Sequence, residues 1–207
     1  MFAAVTGLAL SAAAGLNAYI PILLVGLLAR YTDVLSLPSN FSWMSNGWVL
    51  TGLAILLATE VVLDKIAIVD HLNDAVQTFV RPAAGGAAFA ATSAATQIDY
   101  RIGSSGFLHD NPWLGWVLGI GAALVVHLVK AGTRPVINAG SVGTATPFVS
   151  LAEDIISLVM SLLAIFMPII ALIVLLILVY IALRLLRAVR RRRSRRTAAV
   201  DARSGGT

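Results

Sequence analysis

The chain is predicted to be all-α, a polytopic transmembrane helical bundle of about six spans followed by a basic tail. Three observations predict this. Of 207 residues, 58% are hydrophobic and only 12% charged, about half the roughly 25% charge of a soluble domain. Mean hydropathy is +0.89, and several apolar stretches approach the ~20 residues needed to cross a bilayer. The alternating segments of about ten residues that build a transmembrane barrel are absent. Residues 1–187 form the predicted membrane domain, and 188–207 an Arg-rich cytoplasmic tail read as lacking fixed structure.

The predicted spans are 2–29, 48–66, 82–98, 113–131, 150–167 and 168–187. The opening Met1-Phe2-Ala3-Ala4-Val5 has no Lys or Arg, whereas a secretory signal needs a positive leading region. Residues 2–29 therefore read as a retained helix. Gly15, Asn17 and Pro21 interrupt it, and because proline removes a backbone donor a break is expected near Gly15–Pro21. Span 82–98 is weakly hydrophobic but rich in Ala and Gly, which suits a central helix packed closely against its neighbours. Pro168 separates the last two spans. Two connections, 67–81 and 132–149, carry the charge. The second is Gly-rich and is expected to form a loop or a re-entrant segment.

Charge sets the orientation. Nine of the fifteen Lys/Arg lie at or beyond Arg184, while residues 1–183 hold six Lys/Arg against nine Asp/Glu, a formal −3. The pI near 10.2 thus belongs to the tail. By the positive-inside rule the tail is cytoplasmic. An even number of spans places the N-terminus there too, in the cytoplasmic (inner) membrane. Trp43, Trp48, Trp113 and Trp116 fall in or beside the external connections, as an aromatic belt would. With no cysteine, disulfides, thiolate metal sites and Cys nucleophiles are excluded.

A charge near the bilayer centre costs about 2.5–3.5 kcal/mol or more and generally faces a cavity or another charge. The candidate site is therefore the ionisable set. Glu60 and Asp64, four apart, share a helix face and need a proton or cation between them, for which Lys65 is at hand. Asp70, His71 and Asp74 form the polar side of an amphipathic stretch. They are also a candidate divalent-cation set through oxygen and imidazole. Arg81-Pro82 and Arg134-Pro135 recur in the two blocks as a faint internal repeat. His127, Lys130 and Arg134 make one helical stripe leading to Ser150. Ser150-x-x-Glu153 matches a capping box, which explains Glu153. The same helix start, beside Lys130 and Arg134, would suit an anion. Enzyme signatures such as HExxH, Gly-x-Ser-x-Gly and the phosphate-binding loop are absent.

Gly15-Leu16-Asn17-Ala18-Tyr19-Ile20-Pro21 forms a first motif. Glu60 to Lys65 with Asp70-His71, Arg81-Pro82 and Gly85 forms a second. His127, Lys130 and Arg134-Pro135, with Ser150 to Asp154 and the run to Pro168, form a third. Together, over about residues 5–180, these resemble the bacterial multi-pass membrane proteins grouped as domain of unknown function 4126. The resemblance implies a membrane fold and singles out these positions, without an activity.

The leading functional expectation is a small transporter or lipid translocator for an anionic, phosphate- or carboxylate-bearing solute or lipid. Its cavity would be lined by Asn17, Glu60, Asp64, Lys130, Arg134 and Asp154, with Lys65, Arg81, His127 and Ser150 nearby. Glu60, Asp64 or His127 would carry coupling protons, because burial disfavours the charged form. One alternative is an intramembrane enzyme on a lipid or isoprenoid phosphate, using Asp70, His71 and Asp74 to hold Mg²⁺ or Mn²⁺. The other is a non-catalytic scaffold whose charges fix helix register. No cofactor is expected. The expected partners are membrane lipids, with anionic head groups at the Arg tail, and not nucleic acid.

Overall fold

The computed structural model describes residues 2–65, 67–94, 111–141, 144–181 and 184. Every regular element among them is helical. α1 (Phe2–Leu16) and α2 (Tyr19–Tyr31) are separated at Asn17-Ala18, so the first helix is broken where the sequence predicts. The Asn17 amide hydrogen still donates to Ala13 O at 3.1 Å, closing α1. Its side-chain Oδ1 accepts from the backbone N–H of Tyr19 and Ile20 at 3.0 and 3.2 Å, opening α2. Asn17 thus satisfies orphan groups on both sides of the break. Pro21 falls in the first turn of α2, where its missing N–H is harmless.

A short 3₁₀ helix, Ser39–Ser45, leads into α3 (Gly47–Leu63). Asn46 caps α3 through a hydrogen bond from Trp48 N to its Oδ1 at 2.9 Å. The 3₁₀ helix and α3 are bent 57° from one another.

The two long connections prove to be largely helix. α4 runs Ala67–Ala94 with Pro82 inside it, and α5 runs Pro112–Ser141 with Pro135 inside it. A proline need not end a helix in a membrane protein, where neighbouring groups re-satisfy the freed carbonyl. Expected connections 67–81 and 132–149 are corrected accordingly. Residues 67–81 extend α4 backwards, and 132–141 extend α5 forwards.

α6 runs Thr146–Phe166, beginning a turn earlier than Ser150 with Pro147 in its first turn. Proline's fixed φ pre-organises that position, so the helix starts ahead of the apparent capping box. α7 (Pro168–Ile181) follows directly. The 188–207 tail and residues 95–98 of the third expected span lie outside the described residues.

α5, over Trp113–Pro135, and α6 are long and apolar enough to cross a membrane; the 3₁₀ helix with α3 makes up to a third. α1, α2 and α7 are apolar but shorter. The pattern of exposure is that of a membrane protein. Ile55, Val62, Val125, Leu128, Ile155, Ile173 and Leu176 face outward, while Glu60, Asp64, Arg81, His127, Lys130 and Arg134 are buried. Trp43, Trp48, Trp113 and Trp116 are all exposed. Phe41 stacks on Trp116 with ring centroids 6.4 Å apart, joining the 3₁₀ segment to the start of α5.

The centre is made by α1, α4 and α5, and α6 packs on the other side of α1. Small residues allow the close approach. A Cβ at Gly119 would run into the Gly85 backbone, and one at Gly85 into Ala123. Ser11 Oγ donates across the same junction to Gly85 O at 2.8 Å. On the α6 side Ser157 Oγ donates to Ala13 O at 3.0 Å, and Thr6 Oγ1 to Ala164 O at 2.9 Å. These bonds pin helices that have little apolar area to bury against each other.

Candidate functional site: a buried charge network at the helix break

The two charged blocks meet. Glu60 lies in the last turn of α3 and Asp64 closes that helix. Asp74 and Arg81 come from α4, His127, Lys130 and Arg134 from α5, and Glu153 and Asp154 from α6.

Arg81 is fully buried and occupies the place between Glu60 and Asp64 that Lys65 was expected to take. Its Nη2 donates to Glu60 Oε1 at 2.9 Å and lies 3.7 Å from Asp64 Oδ2. Its Nη1 reaches Asp74 Oδ1 at 3.4 Å. Lys65 is exposed and forms no ion pair among the described residues. Helix geometry explains the substitution. Residue 65 follows the end of α3, whereas Arg81 projects inward from the middle of α4.

Asp64 is the junction. Its Oδ2 takes Lys130 Nζ at 3.2 Å and Arg134 Nη2 at 3.4 Å, and its Oδ1 accepts from Asn73 Nδ2 at 2.6 Å. The two Arg-Pro elements therefore converge on one carboxylate. Glu153 is bound by Lys130 at 3.1 Å and by Arg134. This corrects the capping assignment, since the cap position of α6 is Ala145 and no side chain caps it. Ser150 instead lies inside the helix with its Oγ buried and without a hydrogen-bond partner. The Lys130 ammonium also donates to Leu16 O at 3.0 Å, tying the network to the end of α1.

His127 is fully buried between α4 and α5. Its Nδ1 lies 3.0 Å from Arg81 Nη1, and its Nε2 lies 2.9 Å from Thr78 Oγ1. A guanidinium can only donate, so Nδ1 must accept. Thr78 Oγ1 donates to Asp74 O at 2.8 Å, leaving its lone pairs for His127 Nε2–H. The partners thus assign a neutral Nε2–H imidazole. Asp154 stands apart, its Oδ1 accepting from Asn17 Nδ2 at 2.9 Å.

Among the described side chains, five carboxylates (Glu60, Asp64, Asp74, Glu153, Asp154) accompany three cations (Arg81, Lys130, Arg134), a formal −2 when all are ionised. No group of three His, Cys, Asp or Glu among the described residues is placed to hold a metal. Asp74 is engaged by Arg81, and the side chains of Asp70 and His71 lie outside the described residues.

Beside the network is a cavity of about 240 Å³ between α1, α5, α6 and α7. Its walls are apolar, including Ala12, Leu16, Val129, Met160 and Leu178, and its polar end is Lys130, Thr133 and Glu153. Of the six residues expected to line a cavity, Lys130 lines this one. Glu60, Asp64 and Arg134 are buried, Glu60 against Arg81 and Asp64 against Arg134. Sequence reasoning also missed Asn73, Thr78 and the Leu16 carbonyl. Asn73 and Thr78 are small polar residues on the helix that carries Arg81, and their spacing from it was the available signal.

The fold and site define an all-helical membrane protein with a charge network buried in its centre. The family model for domain of unknown function DUF4126 matches residues 4–188, and the chain belongs to that family. No curated protein and no solved structure is significantly similar to it.

Proposed function

We propose that the chain is a multi-pass transporter of the lipid-handling kind, in the cytoplasmic membrane, that binds an amphipathic anion. On this reading α1 and α2 together form one broken span, six spans cross the bilayer, both termini are cytoplasmic, and the Arg tail meets anionic head groups. The observation that carries the proposal is the cavity. Its walls are mostly hydrocarbon, and its polar lining includes a Lys–carboxylate pair. An acyl or prenyl chain suits the walls, and its phosphate or carboxylate would compete with Glu153 for Lys130 and Arg134. Arg is well matched to such oxygens because its planar fork can bind them in pairs.

The scaffold alternative draws support from the pairing of the cations but leaves the cavity without a purpose. The metal-enzyme alternative draws none, because Asp74 is spent on Arg81.

The test is reconstitution into phosphatidylglycerol vesicles carrying a fluorescent phosphatidylglycerol, with dithionite reporting movement between leaflets. The protein is expected to accelerate bleaching of the inner-leaflet probe. Ala12→Phe, which fills the cavity, and Lys130→Met, which removes its polar end, are each expected to slow it tenfold or more. Rates equal to those of protein-free vesicles would refute the proposal.

A further inference from the structure

The cavity is graded in exposure. Ala12 and Ala13 of α1 and Met160 of α6 form its floor and are at most 5% exposed, whereas Val125 of α5 is 61% exposed and Val179 of α7 is 40% exposed. The two valines line the cavity and also face outward, so the cavity is a groove whose mouth lies between α5 and α7. Val125 falls in the middle of Trp113–Pro135, the stretch of α5 long and apolar enough to cross a membrane. At that depth the surroundings are hydrocarbon. A charged solute dissolved in water would have to enter the bilayer interior to reach the mouth, which is costly. The other end of the groove is polar. Lys130 and Thr133 lie close to the end of the same stretch, and Glu153 of α6 pairs with Lys130 at 3.1 Å.

The groove therefore has the polarity of one leaflet, with charge toward the membrane surface and hydrocarbon toward the middle. Val125 to Thr133 on α5 and Glu153 to Met160 on α6 each give it a length of about 10–12 Å, at 1.5 Å per helical residue. Spread over about 12 Å, a volume of about 240 Å³ leaves a cross-section of about 20 Å². That admits one hydrocarbon chain and not two abreast.

We propose that the groove takes one acyl chain of an anionic phospholipid sideways from the bilayer, while the second chain stays outside the mouth between α5 and α7. This rests on the lipid-handling reading and adds to it the source of the ligand, its route and the number of chains held. The lipid enters in the orientation it already has in its leaflet. Its phosphate comes to Lys130 near head-group depth, and its chain passes from the hydrocarbon of the bilayer to the hydrocarbon of the groove without meeting water. A zwitterionic lipid brings the same chain with no net charge for Lys130, so the polar end selects the anionic head group.

The test is photolabelling of the full chain in phosphatidylcholine vesicles containing phosphatidylglycerol with a diazirine midway along one acyl chain, followed by digestion and mass spectrometry. Adducts are expected on Met160, which is 2% exposed and is reached from within the groove. Adducts are also expected on Ile155, 53% exposed on the same helix, which serves as the internal control. Val125→Trp obstructs the mouth without touching the packed floor. It is expected to lower Met160 labelling tenfold or more and to leave Ile155 labelling unchanged. The same diazirine carried on phosphatidylcholine is expected to label Met160 at least tenfold less. Labelled Ile155 without labelled Met160, equal Met160 labelling by the two lipids, or Met160 labelling untouched by Val125→Trp would each overturn the proposal. Lipid movement between leaflets without Met160 adducts would overturn it and leave the transport reading standing, whereas Met160 adducts without lipid movement would do the reverse.

Discussion

Arg81 offers the sharpest test of the network. Arg81→Met keeps most of the side chain's length and apolar volume but deletes the charge and every donor. The loss is not shared evenly among its neighbours. Asp64 keeps Lys130 and Arg134. Glu60 loses the donor at 2.9 Å on Oε1, while its Oε2 already has no partner. Asp74 loses its bond at 3.4 Å, and His127 Nδ1 loses its donor at 3.0 Å. Removing one partner of a buried pair costs about 3–5 kcal/mol because the remaining charge is stranded. With two carboxylates stranded, the expected cost lies at the upper end of that range. A chain of this size loses about 2–4 °C of Tm per kcal/mol, so the apparent Tm should fall by on the order of 10 °C or more. Arg30→Ala is the control, since Arg30 is exposed and donates to Ser45 O; its effect should stay within about 1 kcal/mol. Adding Glu60→Gln to Arg81→Met removes one stranded charge and should recover part of the loss, a coupling of about 1–3 kcal/mol. Thermal unfolding in one detergent of five proteins, the unmutated chain, Arg81→Met, Glu60→Gln, the double variant and Arg30→Ala, measures all of this. An Arg81→Met Tm no lower than that of Arg30→Ala, or strictly additive effects in the double variant, would refute the reasoning.

Two further predictions concern packing and proton position. Gly119→Ala drives a Cβ into the Gly85 backbone and should cost about 1–3 kcal/mol. Gly132→Ala, where a Cβ meets nothing within 4 Å, should gain about 0.5–1 kcal/mol from helix propensity; the two melting temperatures, read together, check the helix contact. Nitrogen NMR of histidine-labelled protein should show His127 as the neutral Nε2–H tautomer near neutral pH, and Arg81→Met should release that preference. An Nδ1–H signal in the unmutated protein would contradict the assigned hydrogen bonds.

The sequence made some features readable and hid others for definable reasons. The helical class, the break at Gly15–Pro21 and the two charged blocks follow from composition and from local chemistry. Local chemistry misled at Ser150-x-x-Glu153, where the capping pattern is present but Pro147 starts the helix a turn earlier. It misled again at Pro82, read as the start of a span, and at Pro135, placed in a connection, although both lie inside long helices. Lys65 was the nearest cation to Glu60 along the chain, yet Arg81 is its partner, because α4 turns back beside the end of α3. Pairings of this kind depend on which helices touch, and a single sequence does not specify that.

Asp64 gives the network a property that separate ion pairs would lack. One oxygen, Oδ2, is shared by Lys130 and Arg134 from α5 and approached by Arg81 from α4. The same two α5 cations hold Glu153 of α6, and Lys130 holds the end of α1. On the lipid-handling reading, an anion that captured Lys130 and Arg134 from the cavity side would have to release Asp64 and Glu153. That release loosens α3 and α6 from α5 and frees the Leu16 carbonyl at the break. A ligand shifts a conformational equilibrium only through contacts that differ between the two states, and here the contacts it makes are the ones that hold four helices together. Binding and helix separation are then a single event.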